Sequence, residues 1–338
     1  MIDDIVRRDV QTLNTSLQES VHGGLESKKV VVTGGAGFLG SWLCDFHVSA
    51  GAEVLAVDNL STGRVQNVDH LRNQSVFDFQ NLDVVTFDAV TRSDLIFHFA
   101  SRASPEEYQA HPIATLAANA RGTEKLLEFA RRADSTFVYA STSEVYGDSE
   151  VVPTPETYWG NVNPNGPRSC YDEGKRYGEA LCAAYRKEYG IDVRIARIFN
   201  TYGPRLRADG AYGRAVSRFI AQALKGQDIS VFGEGKQTRS FCYVTDTIAG
   251  ILKMAYTDAA KGETINIGNP NEISIMALAK LIAKLVPTKS KITLHPLPED
   301  DPKRRCPDIS KANRLLNWYP RVDLDEGLQK TIEWFGKT

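Results

Sequence analysis

Cysteine, histidine and net charge are scarce in this sequence, and each shortage closes off a class of function. The five cysteines (Cys44, Cys170, Cys182, Cys242, Cys306) are scattered and odd in number, which argues against a disulfide framework and for a reducing compartment. Neither they nor the six histidines fall at metal-ligand spacing, so no metal is expected. A formal charge of -2 gives no general pull toward nucleic acid or an anionic membrane. No apolar run approaches the roughly 20 residues of a membrane span, and the first residues do not read as a signal peptide. The expectation is a cytoplasmic protein with neither nucleic acid nor membrane as partner. An anionic ligand would have to be held by a few placed arginines.

What is present alternates between strand and helix. Residues 28–33 form a short β-branched run, 38–50 a helix and 53–57 a second strand. Further strands are expected at 76–79, 95–100, 136–140 and 193–199, with helices over 113–132 and 171–189. Their apolar runs are continuous, which marks strands buried on both faces, so the fold class is α/β with a doubly wound parallel (Rossmann) sheet. After Asn200 glycine and proline become frequent (Gly210 and Gly213 among them), which reads as a smaller, interleaved C-terminal lobe. The expected division is an arm over 1–27, a dinucleotide-binding domain over 28–200 with a return near 243–267, and a ligand-holding lobe over 201–242 and 268–338. In the arm, Ile2, Ile5, Val6, Val10, Leu13, Leu17 and Val21 recur at near-helical spacing. It either packs on its own subunit or makes a dimer contact, and His22-Gly23-Gly24 after it reads as a linker.

Gly34, Gly37 and Gly40 lie between the first strand and the first helix of that alternation. In a dinucleotide fold such a trio gives a tight turn, close backbone approach to a pyrophosphate, and close helix packing. Asp58 ends the next strand, where an acid would bind the adenosine ribose hydroxyls. A carboxylate there accepts bonds from the 2′-OH and repels a 2′-phosphate, which favours NAD over NADP; Arg64, six residues on, could offset this. Asp83-Val84 follow the third strand and either edge the adenine or are ordinary strand-end residues.

Tyr171 and Lys175 stand four apart, on one face of a helix. An ammonium near a phenol, helped by the positive nicotinamide ring, favours the phenolate and makes tyrosine a usable base. Thr142 and Glu144 end the fifth strand, where open α/β sheets place ligands. Thr142 can bond the same hydroxyl, while Glu144 adds a carboxylate that simple hydride transfer does not need.

Gly34-Gly35-Ala36-Gly37-Phe38-Leu39-Gly40, Ser141-Thr142-Ser143-Glu144 and Tyr171-Asp172-Glu173-Gly174-Lys175 resemble the extended short-chain dehydrogenases. Tyr158-Trp159-Gly160-Asn161-Val162-Asn163-Pro164, with Gly166-Pro167-Arg168-Ser169-Cys170, is similar to the UDP-glucuronate decarboxylase (UDP-xylose synthase) family within them. So are Asn200-Thr201-Tyr202-Gly203-Pro204-Arg205, Gln237-Thr238-Arg239-Ser240-Phe241 and Asp300-Asp301-Pro302-Lys303-Arg304-Arg305. The likeness runs from about Lys28 to the end of the sequence, leaving out the arm.

The resemblance implies decarboxylation of UDP-glucuronate to UDP-xylose: hydride passes from C4 to NAD, carbon dioxide is lost from the 4-keto acid, and hydride returns. It implies Thr142, Glu144, Tyr171 and Lys175 as catalytic residues. NAD would be held by Gly34, Gly37, Phe38, Leu39, Asp58, Asn59, Ser61, Thr62, Gly63, Asp83, Val84, Ala100, Ser101 and Asn119, besides Tyr171 and Lys175. The nucleotide-sugar would meet Tyr108, Glu144, Asn200, Val216, Gln237, Arg239 and Arg305. A homodimer through helices such as 113–132 and 171–189 is implied as well.

Ser143 counts against a 4,6-dehydratase, whose pattern has an aspartic acid there to protonate a leaving hydroxyl. Around Arg102, Glu106 and Glu107 the chain departs from the family. Arg102 either meets a substrate carboxylate or pairs with Glu106 or Glu107. Remaining alternatives are an oxidative decarboxylase releasing UDP-4-keto-pentose and NADH, a UDP-uronate 4-epimerase, and a nucleotide-sensing protein without turnover.

Overall fold

A computed structural model describes residues 3–21, 25–88, 92–209 and 214–337. Ile2, the expected linker at 22–24, and Gly210 and Gly213 lie outside the described residues.

Seven parallel strands form the central sheet: β1 (Lys29–Thr33), β2 (Glu53–Val57), β3 (Phe77–Gln80), β4 (Leu95–His98), β5 (Thr136–Thr142), β6 (Val193–Ile198) and β7 (Thr264–Ile267). Their spatial order is β7-β6-β5-β4-β1-β2-β3. The chain reverses between β1 and β4, and the crevice beyond the carboxyl ends of those strands is where such sheets bind ligands.

Alternate residues of the strands feed two separate cores, which is why the runs are apolar throughout. Val30, Val32, Val54, Ala56, Phe97 and Val138 pack on one face with Trp42 and Phe46 of α2 (Phe38–Ser49). Val31, Val57, Ile96, Phe137, Tyr139 and Val193 pack on the other with Leu126, Leu127 and Phe129.

The helix expected over 113–132 is present, continuous from Pro112 to Ala133, with a π turn inside it. The chain forms α3 (Pro105–Ala110), α4 (Pro112–Ala117), a π turn over Ala118–Gly122, and then α5 (Thr123–Ala133). Pro105 and Pro112 each open a short helix, as proline does where its missing N–H costs nothing. The π turn turns Asn119 fully inward. Helix α6 (Ser169–Tyr189) follows β5 through a long loop and packs on α4, α5 and the π turn.

Beyond β6, α7 (Ala215–Leu224) packs against α9 (Ile275–Leu285), with α8 (Val244–Tyr256) between them in sequence. A small sheet places Thr238–Ser240 between Glu272–Ser274, antiparallel, and Arg304–Arg305, parallel. Its register sets Arg305 opposite Arg239. Helix α10 (Ser310–Leu316) lies against α8 and β7, and α11 (Leu324–Lys337) against α7.

The arm is α1 (Asp4–Val21), and it packs on its own chain, against α8 and α2. Ile5, Val6, Val10, Leu13 and Leu17 are buried there. Asp9 accepts a hydrogen bond from the Tyr243 hydroxyl (2.7 Å) and pairs with Lys330 Nζ of α11 (3.2 Å). No helix among the described residues is long and apolar enough to cross a membrane.

Candidate active site

One cleft of about 420 Å³ runs from the β1–α2 turn, past the end of β5, to the lobe that carries Arg239 and Arg305. Its cofactor-sized half is built mainly of backbone. Gly34 adopts φ +72° and its N–H donates to Val57 O (2.7 Å), closing the turn after β1. A Cβ on Gly40 would sit 2.1 Å from Gly34 O, so only glycine lets α2 start this close to the turn. The first N–H groups of α2 consequently face the cleft with the positive end of the helix dipole.

Asp58 closes that half. Its Oδ1 accepts from Leu60 N (2.8 Å) and its Oδ2 from Ala36 N (3.1 Å). Burial raises its pKa, and those backbone bonds pull it back only in part. A carboxylate held by backbone alone keeps lone pairs for ribose hydroxyls. Arg64 is drawn toward Asp209 (4.0 Å) and is not among the groups acting on Asp58. Asp83 is fixed by Asn59 Nδ2 (2.8 Å) and Val85 N (2.9 Å). These groups fit an adenosine and a pyrophosphate, the parts of NAD that the glycine turn predicts.

Tyr171 and Lys175 lie on the inner face of α6, beside Thr142 at the end of β5. Lys175 Nζ donates to Ala140 O (2.8 Å) and lies 6.0 Å from the centre of the Tyr171 ring. The expected activation of the phenol counts on this ammonium together with the positive nicotinamide ring. Burial pushes Tyr171 up to about 12, a hydrogen bond with Thr142 offsetting it in part, while burial pulls Lys175 down to about 7. Desolvation disfavours both charged forms here, so a further positive charge is needed to make the phenolate. Tyr108 stacks flat on Tyr171, with ring centres 5.1 Å apart and planes 3° apart, which fixes the phenol's orientation.

Behind Lys175, a partly buried carboxylate sits one helical turn on. Glu179 accepts from Ser141 Oγ (2.5 Å) and from Arg197 Nε (2.9 Å) and Nη2 (2.7 Å).

Glu144 reaches into the cleft from the turn after β5 and is gripped by two guanidiniums. Arg168 Nη2 donates to one oxygen and Arg305 Nη1 to the other. Arg239 Nη2 pairs with Asp301 Oδ1 (3.0 Å). Both arginines are ion-paired within the cleft wall, Arg305 buried and Arg239 nearly so. Asn200 offers an Nδ2 without a hydrogen-bond partner among the described residues. That orphan donor and the two arginines suit a diphosphate.

Of the expected site residues, Gly34, Gly37, Phe38, Leu39, Asp58, Asn59, Ser61, Thr62, Asp83, Val84, Ala100 and Ser101 line the first half of the cleft. Thr142, Glu144, Tyr171, Lys175, Asn200, Val216, Gln237, Arg239 and Arg305 line the rest. Gly63, Asn119 and Tyr108 stand behind the wall: Gly63 against the Asp58 carboxylate, Asn119 against Gly174, and Tyr108 against Tyr171. Glu107 does not pair with Arg102. Arg207 (2.7 Å) and Arg214 (3.2 Å) take it instead, across the cleft from the lobe. Arg168 went unassigned, although it stands three residues before Tyr171 in the quoted motif.

Residues 30–268 match the model of the NAD dependent epimerase/dehydratase family. The chain belongs to that family. Within it, UDP-glucuronic acid decarboxylase 1 of Xenopus tropicalis is 48% identical over 312 residues, covering 92% of this chain and 73% of that protein. UDP-glucuronic acid decarboxylase 6 of Arabidopsis thaliana is 46% identical over 308 residues, with 91% and 88% covered. Among solved structures, a UDP-glucuronic acid 4-epimerase from Bacillus cereus, in complex with UDP-glucuronic acid and NAD, superposes with a TM-score of 0.82. It is 30% identical, with 91% and 99% of the two chains covered. Family members of different activity therefore share the scaffold, and what separates them must lie in side chains around the sugar.

Proposed function

We propose that this chain decarboxylates UDP-glucuronate to UDP-xylose through a 4-keto intermediate. When bound, NAD would supply the hydride acceptor for C4 and the source of the hydride's return. The Asp58 carboxylate and the turn at Gly34 and Gly37 hold its adenosine and pyrophosphate, and Asp58 is the reason for preferring NAD to NADP. Arg239 and Asn200 hold the diphosphate of the sugar nucleotide.

At C4, Tyr171 takes the hydroxyl proton, with Thr142 bonding the same oxygen. The positive charge that Tyr171 needs comes in part from Lys175 and in part with the oxidised cofactor. The resulting C4 ketone makes the C5 carboxylate a β-keto acid. When its carbon–carbon bond breaks, carbon dioxide leaves and the electron pair is taken up as an enolate at C4. Glu144, directly or through water, brings the proton to C5, and Tyr171 then returns its proton to the C4 oxygen.

The observation that carries this reading is a carboxylate placed beside Thr142 and fixed by two arginines. An epimerase acting at C4 has no step for a second acid at C5. Arg305 is engaged by Glu144, so the substrate carboxylate meets a cation that is already shared. Weak pairing favours its loss, because a tight ion pair would stabilise the ground state. NMR of products from UDP-glucuronate, with trapping of carbon dioxide, tests the reading. UDP-xylose without net NADH is expected, whereas UDP-galacturonate without carbon dioxide would overturn it. Steady growth of NADH absorbance with excess NAD would replace it by the oxidative variant.

A further inference from the structure

Arg168 heads α6 and bridges two acids from different elements. Its Nη2 donates to Glu144 in the turn after β5, and its Nε lies 3.8 Å from Asp172 Oδ2 on α6 itself. Asp172 is buried, and its Oδ1 has no hydrogen-bond partner among the described residues. Burial pushes its carboxyl up to about 7, against the pull of Arg168. Glu173 on the same helix and Asp300, from the loop before Arg304–Arg305, add to the rise. Glu144 has Arg305 on its other side. One guanidinium thus serves an acid placed at the reaction and a neighbour next to Tyr171 to which the mechanism gives no step.

We propose that Asp172, acting through Arg168, sets the proton affinity of Glu144 and so governs the return of a proton to C5. Both are positioning residues, and the proposal rests on the decarboxylase reading above. The step balances as follows: the C5–carboxylate bond breaks, carbon dioxide departs, its bonding pair becomes the C4 enolate, and one proton from solvent reaches C5 by way of Glu144. With Asp172 ionised, Arg168 divides its charge between two acids and Glu144 keeps its hold on a proton. With Asp172 neutral, Arg168 and Arg305 both bear on Glu144, which then holds a proton poorly. Reprotonation by Glu144 slows, the C4 enolate escapes and takes its C5 proton from water to become UDP-4-keto-pentose, and the hydride stays behind as one NADH per escape, for which the assay supplies NAD in excess.

The test measures the share of UDP-4-keto-pentose among decarboxylated products of the holoenzyme, by NMR, between about pH 6 and about pH 8. In the wild type this share is expected to rise as pH falls through about 7. Asp172→Asn fixes the neutral state, so its share should be about fivefold higher at the upper pH and independent of pH. KM for UDP-glucuronate should hardly move, and Asp172→Glu should restore the pH step. A share that is flat with pH in the wild type, or unchanged in Asp172→Asn, overturns the proposal, and the wild-type profile serves even if the variant does not fold. Carbon dioxide release by the wild type separates the two claims: without it the decarboxylase reading itself falls.

Discussion

In the cofactor half of the cleft Asp58 is met by backbone N–H groups alone, whereas Arg239, Arg305 and Glu144 across from it are ion-paired before any ligand enters. The difference lies in what binding must undo. In the first half a ligand finds donors and one acceptor that no other side chain contests. In the second, an incoming diphosphate competes with Asp301 for Arg239, and buried pairs return little net energy once desolvation is counted. The dinucleotide should therefore bind as a standing part of the protein, and the nucleotide-sugar as an exchangeable visitor. A cycle that uses hydride twice needs that asymmetry.

Breaking the junction of the halves should have the largest effect. Tyr171→Phe removes the phenol bonded to Thr142, and stopped-flow absorbance of NADH should show C4 oxidation slowed by about a thousandfold or more. The cofactor should still copurify with that variant; full activity in it would refute the mechanism. Arg239→Ala breaks only the lobe, removing the guanidinium that pairs with Asp301 and would meet the diphosphate. KM for UDP-glucuronate should rise by about 30-fold, from a loss of about 2 kcal/mol, while cofactor affinity measured by calorimetry stays put. Asp58→Asn sharpens the contrast from the other side. It keeps the shape, loses the charge, and should weaken NAD by about tenfold with KM for the sugar nucleotide unchanged. Equal shifts of both affinities in either variant would show that the halves are not independent.

Those halves were also unequally legible in the sequence. The groove could be read because its rule is local: a strand, glycines at fixed offsets, a helix, and an acid at the end of the next strand. The lobe depends on strand pairing that no periodicity announces. Arg305 lies opposite Arg239 only because Arg304–Arg305 adds to the edge of Thr238–Ser240. Motif resemblance named both arginines, but their pairing with Asp301 and Glu144 required the fold. The π turn between α4 and α5 was hidden for another reason. Residues 118–122 carry ordinary helix formers around Gly122, and the local cue is Val84, whose Cγ2 a Cβ on Gly122 would approach to 2.7 Å. Sequence nearness offers Arg102 a pairing with Glu106 or Glu107 beside the alternative of a substrate carboxylate, yet the partners of Glu107 come from the far side of the cleft.

Helix α1 carries one consequence for how the molecule is made. Its apolar stripe seats on α8, more than 200 residues later in the chain, and Asp9 is clasped by Lys330 later still. At the usual pace of translation, on the order of ten residues per second, that stripe waits tens of seconds for its seat. During that interval a greasy amphipathic segment is on offer to chaperones and to neighbouring nascent chains. Yield in the cell should thus depend on how the ribosome's traffic shields α1, even though the finished enzyme buries Ile5, Val6, Val10, Leu13 and Leu17.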